Sequence, residues 1–318
     1  MIKIDLITGF LGAGKTTFLK KYADFLIRKG MHIGILENDY GAVNVDMMLL
    51  QDLMGDNCEL EMVAGGCHQD CHRRRFKSKL IAMGMCGYDR VLVEPSGIYD
   101  VDEFFDVLHE EPLDQWYEIG NVIAIVDAKL EPELSEEADY LLASEIADAG
   151  CVVMSKSQEA SEDEIEKTIS HLNRAMEAVR CSRRFGFDLI HRDWDTFTDA
   201  DFEKILSCGY QNESFQKRNE EDQTFSSVYF MNIRMSEDDL CAAAERILRD
   251  EACGNVMRIK GFLHLPGISE EKEDMWVQLN ATRSEITLSP IQTGQEVLIV
   301  IGENLNEEKI QSVLQQES

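Results

Sequence analysis

The chain has 318 residues, 44% hydrophobic and 29% charged, a composition that excludes a disordered chain and leaves room for two folded domains. Lys and Arg total 31 against 60 Asp and Glu, for a formal net charge of -29. So acidic a surface repels a polyanion, which excludes nucleic acid as an expected partner. No apolar run approaches the ~20 residues of a membrane span, and the first strand begins at once without a leader. The expectation is a cytoplasmic protein that makes no use of a membrane.

Ile2, Ile4, Leu6 and Ile7 predict a short buried strand. It enters Gly9-Phe10-Leu11-Gly12-Ala13-Gly14-Lys15-Thr16, with Thr17 behind it, which fits G-x-x-x-x-G-K-[ST]. Phe18, Leu19, Tyr22, Phe25 and Leu26 then recur at helical spacing. Strand, glycine loop and helix are the context that a phosphate cradle requires, and they outweigh the plainer reading of a glycine-rich turn. Gly9, Gly12 and Gly14 let the backbone curl so that N–H groups point inward at phosphate oxygens. Lys15 adds a cation for the outer phosphates, and Thr16 offers a hydroxyl to Mg²⁺. The expected nucleotide-binding residues here are Gly9, Gly12, Ala13, Gly14, Lys15, Thr16 and Thr17.

Ile33 to Leu36 predicts a second strand, running into the polar segment Glu37-Asn38-Asp39-Tyr40-Gly41. In open α/β sheets ligands bind at that edge. Asp39 and Asp46 flank a segment able to reorder with nucleotide state, either of them near magnesium or the attacking water; the plainer reading is an exposed loop acid. Val43 to Met54 reads as a helix on the sheet, with Met47, Met48 and Met54 as core filler. Val91-Leu92-Val93 predicts a strand ending in Glu94-Pro95-Ser96-Gly97. Glu94 stands where nucleotide hydrolases keep an acid close to Mg²⁺ or its water, and the Gly97 N–H is a candidate γ-phosphate sensor. Lys15, Glu94 and Asp39 are the catalytic candidates, and Thr16, Glu94 and Asp39 the magnesium ligands. Asn121 to Asp127 and Cys151 to Lys156 predict further buried strands, and Ser161 with Glu164 forms a capping box. The expected fold is α/β, a mostly parallel sheet in a P-loop nucleotide-binding domain over 1–210. A polar linker over 211–224 and a smaller C-terminal α+β domain over 225–318 follow.

Nine cysteines, an odd number spread along the chain, read as free thiols rather than a disulfide framework. Cys67, His68, Cys71 and His72 form C-H-x-x-C-H after a double glycine. On a helix, i and i+4 stack, so Cys67 would lie over Cys71 and His68 over His72, with four thiol and imidazole donors on one face. Such a set suits Zn²⁺, or Co²⁺ or Ni²⁺. The plainer reading is two packed Cys and two surface His. Arg73 to Arg75 would favour thiolate while weakening net attraction for a cation. Asp70 is a weaker ligand candidate.

Together these motifs resemble the CobW-like GTPases, metallochaperone relatives of the nickel-insertion GTPases for urease and hydrogenase, over nearly the whole chain. The P-loop matches in detail. Glu37 to Gly41 looks like the family's Asn-Glu-Phe-Gly segment with Asp46 on its trailing acid, Glu94 to Gly97 like its Glu-x-x-Gly motif, and Val126-Asp127-Ala128 like its next strand end. Arg258 to Phe262 and Val300 to Leu305 resemble its C-terminal domain signatures. Two motifs depart. The family's Gly-Cys-x-Cys-Cys is here Gly66-Cys67-His68-Gln69-Asp70-Cys71, two thiols with imidazoles in place of three thiolates. Its guanine-reading Asn-Lys-x-Asp is Ser155-Lys156-Ser157-Gln158, which keeps a lysine to pack on the base but loses the acid that accepts two guanine hydrogen bonds. The resemblance implies GTP, with ATP the alternative, and Mg²⁺. It makes a metallochaperone or metalloenzyme maturation factor the leading expectation. A P-loop ATPase or GTPase acting on a cofactor-bearing client without carrying metal is the second, and a small-molecule kinase the third. The expected partner is a client metalloprotein or cofactor-dependent protein, with a homodimer left open.

Overall fold

A computed structural model describes residues 1–38, 45–63, 69–97, 101–186, 189–217, 225–233, 235–265, 275–291, 294 and 296–316. The chain divides into two compact units, Met1–Glu220 and Glu221–Ser318. Among the described residues no helix is long and apolar enough to cross a membrane.

In the first unit the apolar runs become strands β1 (Ile2–Thr8), β2 (Ile33–Asn38), β3 (Cys58–Val63), β4 (Arg90–Pro95), β5 (Tyr117–Asp127) and β6 (Cys151–Ser155). They form one six-stranded sheet in the order β3-β2-β4-β1-β5-β6, with each neighbouring pair parallel. The interleaved helices are α1 (Lys15–Arg28), α2 (Val45–Leu50), α3 (Gln69–Met83), α4 (Val101–Leu108), α5 (Leu113–Trp116), α6 (Glu136–Ala147), α7 (Glu162–Ala178) and α8 (Asp199–Leu206). Covering both faces suits strands that are apolar on both sides, such as β2 and β4, where every residue is buried. Parallel strands also end at one edge, which is where the glycine loop and the polar strand ends gather.

The helical spacing after the P-loop folds as expected. Phe18, Tyr22 and Phe25 are buried on α1 and pack with Phe202 of α8, with Phe25 and Phe202 stacked at 5.2 Å between ring centroids. The capping box of α7 closes as read: the Glu164 N–H donates to Ser161 Oγ at 3.3 Å, and the Ser161 N–H to Glu164 Oε2 at 2.8 Å. Met54, expected as core filler, is instead 56% exposed. The chain turns there, with Gly55 and Cys58 exchanging backbone hydrogen bonds at the entry to β3, so Met54 is carried outward. Within the expected linker, residues up to 217 are tied to the first unit. The Gln211 N–H donates to the Asp148 carbonyl, the Glu213 N–H to the Asp148 carboxylate, and the Gln216 N–H to the Val179 carbonyl.

Asp5 is among the fully buried ionisable groups of this unit. Asp5 on β1 accepts from the Arg90 guanidinium, from Tyr22 Oη at 2.9 Å, and from the Asn121 N–H at 2.8 Å and Nδ2 at 3.1 Å. Burial pushes the Asp5 carboxyl above the ordinary carboxylate range, against the pull of Arg90 and the hydrogen bonds. Gly120 faces this cluster, and a Cβ there would press on both the carboxylate and the guanidinium.

The second unit is an antiparallel sheet, β7 (Phe225–Phe230), β8 (Asn255–Leu265), β9 (Met275–Ala281), β10 (Ile286–Ile291) and β11 (Val297–Glu303), in the order β10-β9-β8-β11-β7. Helices α9 (Glu237–Arg249) and α10 (Glu307–Gln316) complete it. Leu240, Ala244 and Ile247 of α9 and Ile310 and Val313 of α10 share a core with Val256, Ile259, Leu279 and Val300 of the sheet. The α/β architecture with a smaller α+β unit is therefore as expected.

Removing Arg90 strands a buried carboxylate. Arg90→Met should destabilise the first unit by about 3–5 kcal/mol, read as a lower urea midpoint. Much of that loss should return in the double variant with Asp5→Leu, which removes the stranded charge.

Candidate nucleotide site

The loop between β1 and α1 uses its glycines where a side chain does not fit. Gly12 and Gly14 take φ of 76° and 94°, in the left-handed region. Gly9, at φ 144°, runs so close to β5 that a Cβ would overlap the Ile125 carbonyl oxygen. The Ala13 N–H donates to the Phe10 carbonyl at 3.1 Å, closing the turn. Helix α1 opens at Lys15 with Gly14 as its N-cap and no capping side chain. Its leading N–H groups and the positive end of its dipole therefore face the loop, the arrangement that receives phosphate.

Lys15 is 6% exposed and donates through Nζ to the Gly9 carbonyl at 2.6 Å, so its ammonium is held over the cradle. Thr16 Oγ1 donates to Glu94 Oε1 at 2.8 Å. Glu94 is the next-to-last residue of β4 and is 4% exposed. Beside it, in register on β2, stands Glu37, also buried. Parallel neighbours in register point to the same face, so the two carboxylates lie together on the α1 side of the sheet. A hydroxyl with two carboxylates is a set of hard oxygen donors, and it fits a magnesium ion. Glu37 is a site residue that motif reading passed over. Its signal is its place, the first acid after the apolar run of β2 at the ligand-binding edge.

Gly97 follows β4 and lies against the same loop. A Cβ there would come within 2.8 Å of Lys15 Nζ and 3.0 Å of the Leu11 nitrogen. The Ser96 N–H donates to the Asn38 carbonyl at 2.9 Å, which ties the turn to the end of β2.

On the other side of the P-loop, Lys156 takes φ 53° just past β6 and pairs through Nζ with Asp127 Oδ2 at 3.0 Å. Ser157 Oγ donates to the Met154 carbonyl at 3.1 Å, and Gln158 is exposed. A Cβ on Gly14 would lie 3.4 Å from the Trp194 ring and 3.5 Å from Ser155 Cβ. Trp194 also meets Phe18 edge-on at 5.4 Å. This indole was missed in the sequence, because nothing near position 194 indicates that its loop returns to the P-loop.

Of the four thiol and imidazole candidates, Cys71 and His72 are described. Helix α3 begins at Gln69, so both fall in its first turn. Cys71 is half-buried, whereas His72 is fully buried, in line with Phe76, Leu80 and Met83 along the inner stripe of the helix. His72 is thus not a surface histidine. Asp39, Cys67 and His68, and the side chains of Asp46 and Asp70, lie outside the described residues, as does the expected stacking of Cys67 on Cys71. Among the described residues no three His, Cys, Asp or Glu side chains converge as a metal cluster. The basic run after Cys71 is partly neutralised. Arg73 Nη2 donates to Glu110 Oε1 at 2.7 Å, and Lys77 Nζ to Glu110 Oε2 at 2.6 Å. Lys77 and Arg73 hold the Glu110 carboxyl below its ordinary range.

A parallel sheet, a glycine cradle opening a helix, and a Thr16–Glu94 pair at the strand ends define a P-loop nucleotide-binding protein. The chain belongs to the family described as CobW/HypB/UreG, nucleotide-binding domain, which matches residues 3–184. Residues 235–317 match the cobalamin synthesis protein cobW C-terminal domain. It is similar to the zinc chaperone YjiA of Escherichia coli, at 29% identity over 184 residues, 54% of this chain and 55% of that protein. It is also similar to the zinc chaperone YeiR of Escherichia coli, at 28% identity over 160 residues, 49% of this chain and 47% of that protein. The matched stretch spans about half the length of these relatives. A crystal structure of Zn(II)-bound YjiA GTPase from E. coli aligns over 100% of this chain and 99% of that one, at 20% identity and a TM-score of 0.37.

Gly97→Ala presses a methyl group onto Lys15 and the Leu11 backbone. Phosphate release should fall about a hundredfold, the scale of a misplacement near 1 Å at a reacting group, while the thermal midpoint stays close to that of the parent protein. Unaltered turnover would remove Gly97 from the site.

Proposed function

We propose that this chain is a nucleotide-hydrolysing metal chaperone that uses GTP and Mg²⁺ to control transfer of Zn²⁺ to a client protein. The observation that carries this reading is the register of three adjacent strand ends. Val63 of β3, Asn38 of β2 and Pro95 of β4 lie side by side. Val63 leads toward the Cys67–His72 motif, and Pro95 leads to Gly97 against Lys15. The Gly97 turn follows β4, and Cys71 and His72 open the helix that follows β3, with only β2 between those two strands, a placement that supports one site sensing the other. The names of the curated relatives, zinc chaperones, point the same way.

In this reading the P-loop N–H groups and Lys15 bind the outer phosphates and offset their charge. Thr16 and Glu94, with Glu37 beside them, would hold magnesium; Asp39 is the further acid proposed for that site or for the attacking water. Magnesium would supply positive charge to the β- and γ-phosphate oxygens. Gly97 presents its N–H beside Lys15, where the γ-phosphate of a triphosphate is present and that of a diphosphate is not. Cys67, His68, Cys71 and His72 are the proposed zinc ligands, the cargo being bound as substrate. Thiolate with imidazole favours Zn²⁺, with Co²⁺ or Ni²⁺ as competitors.

The direct test is Zn²⁺ titration of the purified protein against a chromophoric chelator. The intact chain should compete, and the double variant Cys67→Ala/Cys71→Ala should not. Equal competition by both proteins would remove the metal half of the proposal and leave a nucleotide hydrolase.

Base choice is separable from this. Gln158 occupies the position whose acid normally reads guanine, and restoring it as Gln158→Asp adds charge-assisted hydrogen bonds worth ~1.5–3 kcal/mol. Discrimination of GTP over ATP in competition binding should rise about tenfold or more. No change would place base reading elsewhere, with Trp194 and the Lys156–Asp127 pair the next residues to vary.

A further inference from the structure

Asn38 is the last residue of β2, and its side chain is fully buried. Neither of its amide atoms has a hydrogen-bond partner among the described residues. A primary amide brings two donors and an acceptor into the interior, and leaving them unpaired costs free energy that an isosteric apolar side chain would not. Packing alone does not explain an asparagine here.

The direction of the amide follows from the strand. Alternation puts Asn38 on the same face of β2 as Gly34. A Cβ on Gly34 would lie 2.8 Å from the Met83 methyl group, so that face is the one covered by α3. Met83, Leu80, Phe76 and His72 form the buried stripe of α3. The helix connects two parallel strands, so it runs back against them, with Met83 over the start of β2 and His72 toward its end. From Met83 to His72 the helix climbs about 16 Å, at 1.5 Å per residue. From Gly34 to Asn38 the strand climbs about 13 Å, at 3.3 Å per residue. The buried amide and the buried imidazole therefore reach the same level at the sheet edge.

The backbone of the same residue points elsewhere. The Asn38 carbonyl accepts the Ser96 N–H at 2.9 Å, one residue before the Gly97 that lies against Lys15. Asn38 thus meets the nucleotide side through its main chain, while its side chain lies on the face of β2 that α3 covers.

We propose that Asn38 is a positioning residue that couples triphosphate binding at Lys15 and Gly97 to transition-metal binding at Cys71 and His72. This rests on the functional reading above. A γ-phosphate that engages Gly97 fixes the turn at 95–97, and the Ser96 hydrogen bond passes that constraint to the end of β2. The buried amide, carried with that strand end, then favours one placement of the His72 ring. By linkage the metal must alter nucleotide affinity by the same factor as the nucleotide alters metal affinity.

The test is a thermodynamic cycle on the full-length chain. Zn²⁺ affinity is measured by chelator competition with and without a non-hydrolysable GTP analogue and Mg²⁺, for the parent protein, Asn38→Leu and Asn38→Ser. The parent should show a change of about fivefold or more. In Asn38→Leu each ligand should still bind alone, and the ratio should collapse toward one. Asn38→Ser keeps a small hydroxyl in place of the amide, and its ratio should be intermediate; it carries the comparison if the leucine variant does not fold. A parental ratio retained in the variants overturns the role of Asn38 and leaves the metal-chaperone reading standing. A ratio of one in the parent overturns both. Structural damage alone would weaken the two ligands independently without moving their ratio.

Discussion

The hydrogen bond from Thr16 to Glu94 joins two pieces of chain 78 residues apart. It holds the first turn of the P-loop helix against the end of β4, with Thr16 half-buried and Glu94 buried. Carboxylates at such a depth need donors or a cation, and a second buried acid, Glu37, stands beside Glu94. The geometry of the cradle, the reach of Lys15 and the position of Gly97 all follow from keeping these strand ends level. A slip of one residue between β2 and β4 would turn one carboxylate to the opposite face.

Electrostatics shape the remainder of the site. The chain is strongly acidic overall, so the few places where positive charge gathers have a large local effect. One is the P-loop, where Lys15 and the start of α1 combine. Another is the first half of α3, where Arg73 and Lys77 share Glu110. That sharing means the arginine nearest Cys71 does not act as an open counter-cation to a thiolate. Lys156 is likewise held, by Asp127, at the side of the loop where a base would stack.

The P-loop, Glu94 and the overall α/β pattern were legible in the sequence because their requirements are local. Glycines at Gly9, Gly12 and Gly14, a lysine and a hydroxyl in fixed spacing, and apolar runs of strand length carry their own geometry. Helix α9 carries the same kind of local signal, with Ser236 capping an acidic first turn. Glu37 as a neighbour of Glu94 was not, since pairing depends on the order in which strands join the sheet. Trp194 over Gly14 and the buried Asn38 amide depend on tertiary return of the chain and leave no periodic trace. Helices α6 and α8 went unread although Ser135, and Thr198 with Asp201, supplied caps. The inward placement of His72 reverses the plainer sequence reading of a surface histidine. Its spacing to Phe76 and Leu80 places it on the inner stripe of α3.

The buried Asp5–Arg90–Tyr22–Asn121 cluster sits toward the middle and opening residues of its strands, away from the edge where the chemistry gathers. Cohesion and chemistry are thus assigned to different ends of one sheet. Motifs at the far edge are then free to drift over generations without unfolding the protein that carries them. The altered thiol–imidazole and base-reading segments of this chain are what such freedom would leave behind. The same division makes the fold a tolerant starting point for laboratory variation of those segments.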